Sequence, residues 1–323
     1  MSWLVEEGIG EERAIRIEGG QLTAARLHWP GRLSAGQVED AILVSRTAGS
    51  RRGTARFSSG EEALVDALPP STSEGAPIRL EVTRSAIAER HRGKLARARP
   101  TDKPCAPAPG LAAQLRGEAQ EVQTVRRFPD NQWEELWQEA WQGAVAFDGG
   151  ELAFFCTPAM TLIDIDGSRD PRGLALAAVP AVAASLRRFD IAGNIGIDFP
   201  TLDAKADRQA VDAALEAALA GWPHERTAMN GFGFVQIVSR QQRPSLLQRI
   251  AMARVGAAAR MLLRRGEMLE GAGALLLSCH PALKAKLRAE WLEELERRTG
   301  REARIETDPT LAIEAGQAQL VPR

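Results

Sequence analysis

The sequence predicts an α/β protein of the mixed α+β kind, built from several subdomains. Three observations support this fold class. The chain has 323 residues, which is too long for one small core and suits two or three domains. Short strand-like segments separated by Gly, Pro and Ser occupy residues 1–99. From residue 144 onward, apolar strands alternate with helices, which is typical of an α/β unit.

The composition is that of an ordinary globular protein, with 44% hydrophobic and 26% charged residues. No apolar run reaches about 18 residues, so no membrane span is expected. The first residues lack the basic-then-apolar pattern of a secretory signal. Cys105, Cys156 and Cys279 are far apart in the sequence. We therefore expect neither a disulfide framework nor a thiolate zinc site, and a reducing cytoplasm is the default location.

The N-terminal third is predicted to be rich in strands. Residues 13–29 predict a hairpin, with two alternating strands around Gly19 and Gly20. The shorter strands of residues 31–99 predict a small barrel or sandwich. Residues 79–103 contain eight Lys or Arg and three acids, a local charge of about +5 in a chain of net charge −1. This stretch is either a solvated face or a surface that contacts phosphates.

The middle of the chain predicts a linker and then a helix. Residues 100–117 are Pro-rich at the start and are interpreted as a linker. A helix is predicted over about 130–142, where Trp133, Trp137 and Trp141 recur at every fourth position and share one face. A stripe packed into a core is the leading interpretation, and stacking on nucleic-acid bases is the alternative.

The second half predicts an α/β unit and a small C-terminal unit. A hairpin turning at Gly149 and Gly150 is followed by strands that end near residues 166, 198 and 239, with helices between them. We expect a sheet that is buried on both faces. A basic amphipathic helix is predicted over 245–265, and the tail predicts a separate strand–helix–strand unit.

Two of these strands carry acids at their carboxyl ends. Asp164 and Asp166 share one face of a strand, and the next parallel strand ends in Asp198. Ligands of open α/β sheets bind outside the carboxyl ends of the strands, so three carboxylates would converge if the strands are neighbours. Their repulsion would cost stability unless a hard divalent ion such as Mg²⁺ binds them. The same acids also fit turns or helix caps.

Other candidate residues carry weaker signals. Cys156 lies on an apolar strand and is interpreted as a core residue rather than a nucleophile. Arg240 and Arg243 follow a strand, where they either meet phosphates or are only solvated. Four histidines are isolated and lack ligand spacing: His28, His91, His224 and His280.

At these residues the chain resembles the RNase E/G family of bacterial endoribonucleases. The matching segments occur in the family's order. Residues 3–31 resemble its opening hairpin, and residues 161–170 (TLIDIDGSRD) resemble its IDIN-S-R element. Residues 186–202 resemble LR-R--GG-I-IDFI-M, and residues 231–246 resemble FGL-EM-R-R-RPSL. The resemblance covers most of the chain and is strongest over 144–246.

The resemblance implies an architecture. It comprises an RNase H-like subdomain (1–30 and 100–148) interrupted by an OB-fold RNA-binding module (31–99). A DNase I-like catalytic subdomain (149–250) and a small C-terminal domain (251–323) follow.

The resemblance also implies a Mg²⁺-dependent endoribonuclease that cleaves single-stranded RNA to 5′-phosphate and 3′-hydroxyl ends. Asp164 and Asp198 fall on the metal-binding carboxylates of the family. Asp166 replaces an Asn that supports the second carboxylate, so it is a third candidate catalytic residue and is expected to alter metal affinity, with Mn²⁺ as an alternative ion. Six residues are candidates for RNA contact: Arg169, Arg240, Arg243, Phe57, Lys94 and Arg97.

Several departures from the family pattern favour a minimal relative. The zinc-link cysteines are absent after Leu246, so neither zinc nor a zinc-bridged dimer is expected. Residues 100–130 are too few for the family's sensor of 5′-monophosphate ends, and a second surface aromatic is replaced near Ala63. Gly231 stands where the family has Arg. A non-catalytic RNA-binding regulator on the same scaffold is the alternative function, and a structural component of a ribonucleolytic complex is a third.

Overall fold

The computed structural model describes residues 2–88 and 93–322. Within these ranges it contains eight α-helices, several β-sheets and one small closed barrel of five strands. The mixed α+β class is therefore confirmed. None of the helices in these ranges is both long enough and apolar enough to cross a membrane.

An antiparallel meander of three strands begins the chain: β1 (Trp3–Gly8), β2 (Glu11–Glu18) and β3 (Gln21–His28). β2 and β3 are joined by Gly19 and Gly20, whose φ angles are +57° and +78°. Glycine adopts this left-handed conformation without the steric cost of a Cβ atom. The hairpin predicted from the sequence is confirmed.

The barrel follows and encloses its own hydrophobic core. Its five strands are β4 (Val38–Arg46), β5 (Gly53–Arg56), β6 (Glu62–Val65), β7 (Pro77–Arg84) and β10 (Ala96–Pro100). Between β7 and β10, β8 (Ile87–Ala88) and β9 (Gly93–Lys94) pair with each other as a separate two-stranded sheet. The barrel closes in the order β10–β6–β5–β4–β7, with β10 parallel to β6. The barrel predicted within residues 31–99 is confirmed.

The chain then returns to the meander. β11 (Val122–Val125) pairs in parallel with β1, so that segments on both sides of the barrel form one sheet, here called the N-terminal sheet. α1 (Leu111–Gly117) packs on this sheet, and the linker interpretation of residues 100–117 missed it. α2 (Gln132–Gln142) carries the three tryptophans, each 4% exposed or less. The stripe is therefore core, and its rings are not available to bases.

The largest sheet has six strands, here called the large sheet: β12 (Ala144–Phe147), β13 (Gly150–Cys156), β14 (Thr161–Gly167), β15 (Gly193–Asp198), β16 (Glu225–Arg226) and β17 (Phe234–Ser239). β14 and β15 pair in parallel, and the other neighbouring pairs are antiparallel. α3 (Pro171–Arg188) connects β14 to β15, and α4 (Lys205–Ala218) follows β15.

In the described part of the chain, helices cover one face of the large sheet. Ile163, Ile195 and Ile237 lie on that face, are fully buried and belong to the main core with residues of α3 and α4. Asp164 and Asp198 lie on the opposite face, which is exposed. The expectation of burial on both faces was wrong. Apolar and polar residues alternate along β14, as they do in sheets that face water on one side.

Two helices replace the single helix predicted over 245–265. α5 (Leu246–Met252) and α6 (Arg254–Glu267) are separated at Ala253, where φ is −142° and ψ is 47°. The remaining elements are β18 (Ala274–Cys279), α7 (Pro281–Lys284), α8 (Ala289–Thr299), β19 (Ala303–Thr307), a 3₁₀ turn (Ile313–Ala315) and β20 (Gln317–Val321). β18 pairs with β19 and with β20, so the predicted strand–helix–strand unit has one additional strand. Apolar residues of α6 belong to the main core, which this C-terminal region therefore shares.

A buried ion network joins α6 to the N-terminal sheet. The carboxylate of Glu6 accepts hydrogen bonds from Arg264 Nε at 2.8 Å, from Arg13, and from the N–H of Phe128 at 3.3 Å. Glu6, Arg13 and Arg264 are all 4% exposed or less. Burial lowers the pKa of the Arg13 guanidinium, but Glu11 and Glu6 raise it by more, so that this pKa lies above its ordinary value. The network fixes α6 against β1 and β2.

Candidate active site

The two aspartates predicted to hold a metal ion lie side by side. Asp164 on β14 and Asp198 on β15 are directly paired in the parallel register. Their Cα atoms are therefore about 4.8 Å apart, the spacing of neighbouring strands. Both side chains are exposed, and neither has a hydrogen-bond or ion-pair partner in residues 2–88 and 93–322. The two strands are therefore neighbours, which is the condition on which the expected approach of the carboxylates depended.

The local sequence explains this placement. Thr161, Ile163 and Ile165 occupy every second position of β14 and are buried on the covered face. These β-branched residues favour a strand, and the alternation sends Asp164 to the opposite face. Pro200 follows Asp198 by two residues and cannot donate a ladder hydrogen bond, which suits the end of β15.

Asp166 is placed differently from the pair. It lies beyond the end of β15 and opposite Glu151 of β13, and its Oδ1 accepts the N–H of Gly167 at 2.8 Å. Among the residues that the structure describes, no group of three or more His, Cys, Asp or Glu side chains could hold a metal ion. The expected convergence of three carboxylates is therefore not found, and the Asp164–Asp198 pair is the candidate site.

The pair is a donor set that fits Mg²⁺. This ion usually keeps several waters and binds through one or two carboxylates together with substrate phosphates, rather than in a complete protein cage. Like charges directly opposite on neighbouring strands destabilise a sheet. Because no side chain in the described residues neutralises Asp164 or Asp198, an external cation would relieve their repulsion.

The predicted arginines lie at two different edges of the large sheet. We call the edge where β14 and β15 end the carboxyl edge, and the edge where they begin the amino edge. Arg169 follows β14 at the carboxyl edge and pairs with Asp148 in the β12–β13 turn. β17 runs antiparallel to β15, so Arg240 and Arg243 follow it at the amino edge. The structure therefore does not bring these two arginines to the aspartate pair.

Arg243 is engaged within the fold. Its Nε donates to Asp190 at 2.7 Å, and its side chain is 15% exposed. Burial lowers the pKa of the Arg243 guanidinium and Asp190 raises it by more, so that the pKa lies above its ordinary value. Arg240 is exposed and has no side-chain partner among the described residues. Arg240 is therefore the better placed of the two to meet a phosphate.

The two arginines should differ in their effect on stability. We expect Arg243→Ala to lower the free energy of unfolding by about 2 kcal/mol, because it removes a charge-assisted hydrogen bond from a largely buried carboxylate. Arg240→Ala should change it by less than about 0.5 kcal/mol, as is usual at exposed positions. Urea denaturation followed by circular dichroism measures both values. Equal effects of the two substitutions would contradict the structural role of Arg243.

The barrel residues predicted to contact RNA have different environments. Phe57 is 3% exposed and belongs to the barrel core, so its predicted place on an aromatic surface was wrong. Lys94 on β9 donates to the carbonyl of Pro158 at 3.2 Å, in the loop that joins β13 to β14 at the amino edge. Arg97 on β10 is exposed on the outside of the barrel.

The histidines and Cys156 do not supply a second site. His28 is buried, and burial together with nearby arginines lowers its pKa to about 4. His224 bonds a backbone carbonyl, and His280 caps α7. His91 lies outside the described residues. Burial raises the pKa of the Cys156 thiol to about 11, which disfavours the nucleophilic thiolate and agrees with the interpretation that Cys156 is not catalytic.

The sequence interpretation missed the apolar groups on and beside the exposed face. Phe155 on β13 is 51% exposed and lies opposite Leu162 of β14, two residue pairs from Asp164 towards the amino edge. Phe232, in the loop before β17, is 83% exposed. Strand alternation in residues 150–156 could have identified Phe155, whereas the exposure of a loop residue such as Phe232 has no local signal.

Comparison with known proteins identifies no family. The chain matches no protein-family model, and it matches none of the curated proteins.

Proposed function

We propose that this protein is a Mg²⁺-dependent endoribonuclease that cleaves single-stranded RNA during RNA processing or decay in the cytoplasm. The observation that supports this most directly is the Asp164–Asp198 pair. Two exposed carboxylates are directly opposite each other, without a neutralising partner among the described residues, on a sheet face that is open to a polymer. Without a cation, the repulsion between the two carboxylates lowers the stability of the fold. With Mg²⁺ bound, the same carboxylates hold an ion that can contact a substrate phosphate.

The chain's own residues would have separate roles in hydrolysis. Asp164 and Asp198 would hold Mg²⁺, directly or through its waters, and Asp166, two residues beyond Asp164 on β14, would add negative charge at the carboxyl edge. When bound, Mg²⁺ supplies neutralisation of phosphate charge and activation of water. Arg169 lies at the same edge as the pair and is 39% exposed, so its guanidinium can orient a phosphate if it exchanges Asp148 for the substrate. The products would carry 5′-phosphate and 3′-hydroxyl ends.

The barrel supports a role in holding the RNA strand. A closed five-stranded barrel with a parallel contact between β6 and β10 fits the OB-fold, which commonly binds oligonucleotides. Its exposed Arg97 and the neighbouring Lys94 belong to the basic stretch 79–103, and basic residues of this kind track a nucleic-acid backbone. Lys94 also lies at the amino edge of the large sheet, so a strand held by the barrel could continue onto the exposed face.

The two sheets would belong to two different subdomains. The N-terminal sheet draws β1–β3 and β11 from both sides of the barrel, which agrees with a subdomain interrupted by an inserted module. The large sheet would correspond to the DNase I-like subdomain, and the N-terminal sheet with α1 and α2 to the RNase H-like one.

The function is tested by a metal-dependent cleavage assay. End-labelled single-stranded RNA is incubated with the protein in Mg²⁺, in Mn²⁺ and in EDTA. We expect internal cleavage with either metal, 3′-hydroxyl ends on the upstream fragments, and no product in EDTA. Double-stranded RNA of the same sequence serves as the control substrate and should be cleaved much more slowly. Cleavage that persists in EDTA, or no cleavage with either metal, would contradict the proposal.

A non-catalytic RNA-binding regulator is the second candidate. The observation that favours it is the position of Arg240 and Arg243 at the amino edge, away from the Asp164–Asp198 pair, so that fewer of the expected phosphate-contacting residues lie at the carboxylates. The unneutralised Asp164–Asp198 pair weighs against it, because a protein that only binds a polyanion gains nothing from paired carboxylates. Tight RNA binding without product in Mg²⁺ or Mn²⁺ would select the regulator.

A further inference from the structure

Phe232 is the most exposed large apolar side chain in the described part of the chain. It is 83% exposed, and the next, Phe155, is 51% exposed. It lies in the loop between β16 and β17, beyond the carboxyl edge of the large sheet. Single exposed apolar residues are common and need no explanation by themselves. Two further features distinguish Phe232: its backbone is anchored by hydrogen bonds, and its loop lies next to the Asp164–Asp198 pair.

The loop is held in one shape around Phe232. The side-chain oxygen of Asn230 accepts the N–H of Phe232 at 2.9 Å and the N–H of Phe234 at 3.0 Å. Gly233 has φ of +86°, and a Cβ atom there would lie 2.4 Å from the carbonyl oxygen of Phe199. The N–H of Phe199 in turn donates to the carbonyl of Gly233 at 3.2 Å. The backbone that carries Phe232 is therefore anchored on both sides of this residue.

This loop adjoins the aspartate pair. Phe234, two residues after Phe232, is the register partner of Asp198 on β15. The ring of Phe234 lies over Gly196, where an added Cβ would be 2.5 Å from its Cζ atom. The aspartate pair therefore has the Phe234 ring towards the amino edge and the exposed Phe232 beyond the carboxyl edge.

The barrel has basic residues on its surface but no exposed aromatic side chain among its described residues. Proteins that bind single strands combine a basic groove with aromatic side chains on which bases stack. The barrel has the basic residues, but Phe57 is the only Phe, Trp or Tyr in residues 31–99, and it is buried. An aromatic surface for bases therefore has to come from outside the barrel. In the sequence, Phe232 is flanked by Gly231 and Gly233, so its immediate chain neighbours add no apolar side chain beside the ring.

We propose that Phe232 is a positioning residue that stacks on a base of the single-stranded RNA whose phosphate lies at the Asp164–Asp198 pair. This inference rests on the proposed function for the identity of the ligand. Stacking tolerates every base because each has a π face, so Phe232 would hold the strand in place without selecting a sequence.

The test measures binding rather than cleavage. Affinity for a short labelled oligoribonucleotide is measured by fluorescence anisotropy in EDTA, where no hydrolysis is expected. The same measurement uses an oligonucleotide of equal length and charge whose bases have been removed. We expect Phe232→Ala to weaken binding of the normal oligonucleotide about tenfold, equivalent to about 1.4 kcal/mol, within the range for one stacked base. Binding of the abasic oligonucleotide should not change.

Two further variants separate stacking from general apolar contact. Phe232→Trp keeps a π face and should bind as the wild type does or more tightly, whereas Phe232→Leu should bind as weakly as Phe232→Ala. The inference is overturned if the wild-type protein does not bind the oligonucleotide, if Phe232→Ala binds it normally, or if both oligonucleotides lose affinity equally. Phe232→Leu binding like the wild type would also overturn it.

The same experiment separates failure of the inference from failure of the proposed function. If the wild-type protein cleaves RNA in Mg²⁺ but Phe232→Ala has normal affinity, the stacking role is wrong and the nuclease stands. If the wild-type protein does not cleave RNA but Phe232→Ala shows the base-dependent loss, the nuclease is wrong and the stacking role stands.

Discussion

Replacing Asp198 with asparagine should reduce RNA cleavage in Mg²⁺ by about 10²- to 10³-fold, the loss found when one electrostatic group of an active site is removed. The amide keeps the shape of the side chain but removes one of the two paired negative charges that would hold the ion. The measurement is the initial rate of cleavage of end-labelled single-stranded RNA, with substrate well below and well above KM.

Asp198→Asn should not harm the fold. Asp198 is exposed and has no partner within the described residues, and its charge lies opposite that of Asp164. In EDTA the variant should therefore unfold at the same temperature as the wild-type protein or slightly higher. Added Mg²⁺ should raise the melting temperature of the wild-type protein and not that of the variant, because only the former would bind the ion.

The matched control is Asp203→Asn, the same change at an exposed aspartate five residues further along the chain. It should cleave RNA at the wild-type rate. Wild-type cleavage by Asp198→Asn would refute the assignment of the metal site. A loss caused by unfolding would appear as a lower melting temperature in EDTA and would refute the prediction that this carboxylate has no structural role.

Replacing Glu6 with glutamine should lower the free energy of unfolding by about 3–5 kcal/mol, the usual cost of removing one partner from a buried ion network. Glu6 is 1% exposed, and its carboxylate forms ion pairs with both Arg13 and Arg264. The variant leaves two buried guanidinium groups with one fewer negative charge between them. Since domains are stable by only about 5–15 kcal/mol, much of the stability would be lost. Urea denaturation followed by circular dichroism measures the change.

The control for this prediction is on the same strand. Glu7→Gln alters the next residue, which is exposed, and should change the free energy of unfolding by less than about 0.5 kcal/mol. If Glu6→Gln lowers the free energy of unfolding by less than about 1 kcal/mol, the network contributes no more than an exposed ion pair does, and the prediction is contradicted.

Local patterns predicted much of the fold because the forces that determine it act over a few residues. Alternation of polar and apolar residues predicted the strands that contain Asp164 and Asp198, and paired glycines predicted the hairpin turns. The four-residue spacing of Trp133, Trp137 and Trp141 predicted that one face of a helix is buried. A break in a helix without Gly or Pro, as at Ala253, has no such local signal and was missed.

Strand direction decided where the candidate binding residues lie. Because β17 is antiparallel to β15, Arg240 is placed at the amino edge and Phe232 at the carboxyl edge, although both flank the same strand in the sequence. The pairing of strands depends on which apolar surfaces meet, which involves segments far apart along the chain. The sequence therefore identified Arg240 as a candidate for phosphate contact but could not show which edge of the sheet it occupies.

The sequence by itself determined that Asp164 and Asp166 share one face of a strand, through the period of two that any strand imposes, and that the next parallel strand ends in Asp198. Only the tertiary structure decided that Asp164 and Asp198 are directly paired, that Asp166 stands apart from them, and that their face is uncovered. The physical reason is that helices α3 and α4 bury one face of the large sheet, and this choice depends on packing across the whole core rather than on neighbouring residues.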